Sequence, residues 1–91
     1  MKKLNKKYTR IVVNNVLIQG DPEDLIAIGA PRDEYEPETR VIVDYIIKNK
    51  DIITTEKLAM HICRVFNSYF LPTHLPSDFI EIAQCILMNL E

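Results

Sequence analysis

Between positions 54 and 70 the apolar residues recur at helical spacing, and this pattern constrains the chain more than any other feature. Leu58, Ile62, Val65, Phe66 and Tyr69 fall on one stripe, and Ala59, Cys63, Phe66 and Phe70 form the adjoining one. Thr54 stands where an N-cap is needed, with Ile53 before it and Leu58 placed to close a hydrophobic staple. Leu71-Pro72 ends the run, because a residue preceding proline avoids helical geometry. The spacing predicts a helix over 55–70.

The same reading extends along the chain. Phe79, Ala83, Ile86 and Leu90 share a face, widened by Ile80, Ile82 and Leu87, so a helix is predicted over 77–90. Ser77 or Asp78 caps it, and Asp78 with Glu81 has capping-box spacing. The short connection before it predicts an antiparallel hairpin with the preceding helix. A further helix over 37–49 opens at Pro37, with Asp33, Glu34, Glu36 and Glu38 at its positive end. The first segment reads two ways. Arg10-Ile11-Val12-Val13 and Val16-Leu17-Ile18-Gln19 around Asn14-Asn15 suit a β-hairpin, whereas Leu4, Tyr8, Ile11, Asn15 and Ile18 suit a helix over 3–18. A lone two-stranded ribbon is marginal in water, and no third strand candidate exists, so helix is adopted. The expectation is one all-α domain spanning 1–91, a four-helix unit with a long acidic loop between its first two helices.

Charge is laid out in blocks. Lys2, Lys3, Lys6, Lys7 and Arg10 occupy the first 20 residues without an acid, while Asp21, Glu23, Asp24, Asp33, Glu34, Glu36 and Glu38 crowd 21–38 against Arg32 alone. Adjacent opposite blocks usually satisfy one another or sit in water; the sharper alternative is an acidic patch that meets a basic partner. A hydrophobic fraction of 47% and a charged fraction of 26% fit a folded globular chain and exclude a disordered one. No apolar run approaches bilayer length, and the lysine-rich start lacks the apolar stretch of a signal peptide. A cytoplasmic protein with no membrane association is the expectation.

The chemistry-bearing residues assemble no known motif. His61 and Cys63 lie about 200° apart around a helix, and there is no paired-cysteine or paired-histidine spacing for zinc. Cys63 and Cys85 come level across a hairpin of the last two helices, and reduced thiols packed as small apolar residues are the preferred reading. With Gly20 and Gly29 the only glycines, no phosphate-cradling loop exists. Only His61 and His74 can act as a neutral-pH base, and neither sits in a catalytic pattern. No enzyme activity, metal or cofactor is expected. The lysines of the first helix suggest nucleic-acid binding as an alternative, against which stand the larger acidic block and the absence of a stacking run of aromatics.

The stretch Asp21-Pro22 through Gly29-Ala30-Pro31 to Asp33-Glu34-Tyr35, then Glu38 and later Phe66 and Phe70, resembles the YugE-like family, short uncharacterised helical proteins of Firmicutes. The Asp-Pro and Ala-Pro-x-Asp-Glu-Tyr pattern is also similar to that of small bacterial proteins thought to be immunity partners of toxins. The resemblance implies an all-α fold and brings no established activity with it.

The functional expectation is a non-enzymatic protein-interaction module, of the immunity type, that meets a basic partner through Asp33, Glu34, Tyr35 and Glu36. A second expectation is a homodimer. Val41, Ile42, Val43, Ile46 and Ile47 cover too wide an arc for one surface helix, as do Ile11, Val12, Val13, Val16, Leu17 and Ile18. The competing reading is that Leu25, Ile26 and Ile28 fold over the surplus.

Overall fold

The computed structural model describes residues 4–91. Four α-helices carry the chain: α1 (Lys6–Gly20), α2 (Glu36–Lys48), α3 (Thr55–Tyr69) and α4 (Ile80–Leu90), with a 3-10 turn at Pro76–Phe79 leading into α4. There is no strand among the described residues, so the hairpin alternative for 10–19 is not adopted by the chain. The β-branched run Ile11–Val13 is helical because Val12, Val13, Val16 and Leu17 bury one face together, and that burial outweighs local strand preference. Asn14, half of the would-be turn, is an inter-helix stitch instead: its Oδ1 accepts the Thr39 hydroxyl at 3.3 Å.

Each end has a local cause. The expected start of α1 at residue 3 lies outside the described residues; the helix starts at Lys6, where Asn5 Oδ1 accepts the Tyr8 N–H at 3.1 Å. Pro37 stands in the first turn of α2 beside Glu36 and Glu38, and Lys48 stands in its last, complementing the helix dipole at both ends. Thr54 caps α3 as predicted, its Oγ1 accepting the Lys57 N–H at 3.1 Å. The start of α4 differs from expectation. Asp78 does not form a box with Glu81; its carboxylate turns back and accepts the Leu75 N–H at 2.8 Å, and the chain tightens into a 3-10 turn through Phe79 before the α-helix begins.

The helices form a ring in which α1 packs on α2, α2 on α3, α3 on α4 and α4 on α1, with no diagonal pair in backbone contact. The radius of gyration, 12.2 Å, is that of a single domain of about this length. One contiguous core fills the ring, centred on Phe66, whose ring lies 5.4 Å from Phe79, 5.7 Å from Phe70 and 5.8 Å from Tyr35. Gly20 ends α1 so close to α4 that a Cβ there would stand 3.1 Å from Ile82 Cδ1. The apolar surplus of α1 and α2 is mostly buried: Ile42, Val43 and Ile46 are enclosed, and Leu25 and Ile26 pack against the core from the connection. Ile28 does not join them and remains 79% exposed. No described helix is long and apolar enough to cross a membrane.

Candidate functional site

The connection between α1 and α2 is organised by one carboxylate. Asp21 takes a left-handed backbone (φ 43°) and donates its N–H to the Leu17 carbonyl at 2.7 Å, ending α1. Its Oδ1 accepts the Ile26 N–H at 3.0 Å and its Oδ2 the Ala27 N–H at 2.9 Å. Oδ1 also accepts the Tyr35 hydroxyl at 2.6 Å, while the same hydroxyl accepts the Glu23 N–H at 3.0 Å. Partial burial works against the charged form of Asp21, but the Tyr35 hydroxyl and the two backbone donors outweigh it and hold the carboxyl below its ordinary range. Burial, reinforced by the neighbouring Asp21, drives the Tyr35 hydroxyl far above the usual phenol value, so it stays a donor.

The four residues expected to form a partner surface are therefore divided. Tyr35 is fully buried against Phe66 and is a core residue with a polar anchor, which corrects its placement on the surface. The reason is geometric, since its hydroxyl closes the connection from inside. Glu36 is occupied by Arg10 at 3.7 Å and Arg40 at 3.6 Å, so here the opposite charge blocks do satisfy one another. Asp33 is exposed and Glu34 half-buried, and neither pairs with a cation among the described residues.

Beneath this connection lie residues that sequence reasoning missed. His74, from the segment between α3 and the 3-10 turn, presents Nε2 to Glu23 Oε2 in direct contact and Nδ1 to Asp78 Oδ2 at 3.9 Å. Its backbone is clamped to α3: the His74 N–H donates to Asn67 Oδ1 at 3.0 Å, and its carbonyl accepts Asn67 Nδ2 at 3.1 Å and the Cys63 thiol at 3.5 Å. The imidazole edge rests on Phe79 at 5.1 Å. Glu38, in the first turn of α2, is 3% exposed, and its Oε1 is sealed from water without a hydrogen-bond partner. Burial, then the charges of Glu34 and Glu23, raise its carboxyl above the ordinary range. The acidic spacing of 21–38 signalled a patch, but nothing in it marked Glu38 as the buried member or His74 as the partner of Glu23, because Glu23 and His74 stand 51 residues apart.

The cluster sets one imidazole between two carboxylates. Both imidazole nitrogens face carboxylates, and no hydroxyl or thiol hydrogen-bonds the ring among the described residues. Burial, then the charge of Asp78, push the Cys63 thiol up, away from thiolate reactivity. Cys63 and Cys85 are unbridged. No group of three or more metal-ligating side chains is placed to hold an ion among the described residues. Comparison with family models, with curated proteins and with solved structures finds no match.

Proposed function

We propose that this chain is a protein-interaction module without catalytic activity, which meets a basic partner across the acidic connection and the first turn of α2. The observation that carries the reading is Glu38. It is a buried carboxyl with a partnerless oxygen that feels the charges of Glu23 and Glu34, and the connection before it also carries the exposed Asp24 and Asp33. Only Glu23 of this group has a partner among the described residues, His74, and the remaining excess of acids is costly to the free protein and becomes favourable when a cationic surface covers it. The resemblance of the connection to immunity-type proteins agrees with this and makes a basic toxin domain the expected class of partner. The nucleic-acid alternative is disfavoured, because Lys6 is occupied by Asp44 at 3.4 Å and Arg10 by Glu36.

Replacing Asp33 and Glu34 by Lys tests the reading. These side chains hold no ion pair, so the variant should keep its helical circular dichroism. Captured basic partners should be lost, and binding by the native chain should weaken steeply with salt. Retention of every partner by the variant would overturn the proposal.

A further inference from the structure

Where α2 meets α3, the ring carries two shallow grooves that share Val41 and His61. One continues past Tyr45 to Lys48, and the other runs past Val65 to Arg64 and Tyr69. Val41 and Tyr69 line these grooves and are exposed, which leaves an apolar and aromatic strip in water. At its centre the His61 ring stacks on Tyr45, with centroids 4.0 Å apart and planes inclined by 9°. His61 Nε2 is shut off from solvent and has no hydrogen-bond partner.

The seam carries two cations without an ion pair and one acid that is already paired. Lys48 lines one groove and Arg64 the other, and neither forms an ion pair among the described residues. The single acid lining either groove, Asp44, is taken by Lys6. An unpartnered apolar strip with a free cation in each groove fits a ligand of complementary layout. We propose that the α2–α3 seam is a docking groove for an acidic peptide segment, with an apolar anchor seated over Val41 and His61 and carboxylates reaching Lys48 and Arg64. Arg64 offers the bidentate geometry that a carboxylate prefers, and Lys48 offers a point charge. Burial holds the His61 imidazole below its ordinary value, which agrees with an apolar centre to the seam. This surface is separate from the acidic connection and does not rest on the function proposed for it; a module with both joins a basic partner to an acidic one.

The test is selection from a displayed library of random dodecapeptides on the intact protein. Enrichment of sequences combining acids with a large apolar residue is expected. A synthetic peptide of the enriched sequence should bind at least tenfold more weakly to K48E/R64E and to the milder K48A/R64A, whose side chains are exposed. It should bind the Asp33→Lys, Glu34→Lys protein unchanged, which separates this groove from the acidic connection. Absence of enrichment, enrichment of basic or uncharged peptides, or equal binding to the charge-reversed protein overturns the proposal. So does a chain that sediments as a dimer at micromolar concentration and returns to 10.6 kDa with Val41→Asp, since the groove is then filled by a second copy.

Discussion

Two sets of carboxylate pairs in this molecule, one with lysine and arginine and one with histidine, differ above all in what surrounds them. On the α1–α2 face, Lys6 and Asp44 pair with 74% and 57% of their side chains exposed, and Arg40 reaches Glu36 with 70% of its own in water. Under the α1–α2 connection, His74 and Glu23 pair at 17% and 20% exposure, between Phe79 and the buried Glu38. Water screens the first set and lets either partner leave at little cost, whereas it cannot rehydrate the second without opening the connection. The lesson is that burial, rather than proximity of opposite charges in sequence, decides which pairs matter.

The sharpest way to break that contrast is through Tyr35, which closes the connection over the buried pair. Tyr35→Ala should lose about 3–5 kcal/mol in urea unfolding, from the emptied space beside Phe66, and Tyr35→Phe about 1–2 kcal/mol, from the orphaned Asp21 and Glu23 groups. No loss for Tyr35→Phe would show that the hydroxyl contributes nothing, and equal losses for the two would show that the ring does. Next in size is the pair itself. A double-mutant cycle of Glu23→Gln and His74→Gln should give a coupling of about 1–2 kcal/mol. A coupling as small as that of the surface pairs would erase the distinction between the two regions.

Glu38 sharpens the comparison from the other direction. Its carboxyl is raised in the folded state, so the native protein holds this proton more tightly than the unfolded chain does. Its contribution to stability therefore grows as pH falls through the raised folded value toward the ordinary carboxylate range, and the charged form costs stability above it. Glu38→Gln should stabilise the protein by about 1 kcal/mol at pH 7 and remove that part of the pH dependence. Destabilisation at pH 7 would mean that the charge is compensated. The smallest effect belongs to the exposed face: Lys6→Ala and Arg40→Ala should each change stability by less than about 0.5 kcal/mol, and less again in added salt.

The helices were largely legible from local pattern, and the candidate site was legible only in part. Thr54 behaves as its position predicts, because a cap acts on backbone three residues away. Asp78 does not, because Pro76 and the 3-10 turn give its carboxylate a backbone donor behind it rather than ahead. Asp33 and Glu34 are surface acids, as the charge run suggested, while Tyr35 between Glu34 and Glu36 turns inward to meet Asp21. Alternation of this kind within a turn has no periodicity to read, so burial there follows from what the turn packs against.

What the sequence determined by itself is the set of helices and the side of each that must be hidden, since apolar spacing, caps and prolines act within a few residues. Only the tertiary structure decided that Glu23 meets His74, that Glu38 is buried beside them, and that Lys48 and Arg64 flank one seam. These placements depend on how four helices close into a ring. Several such closures bury nearly the same apolar area, and the polar contacts formed between distant segments distinguish among them.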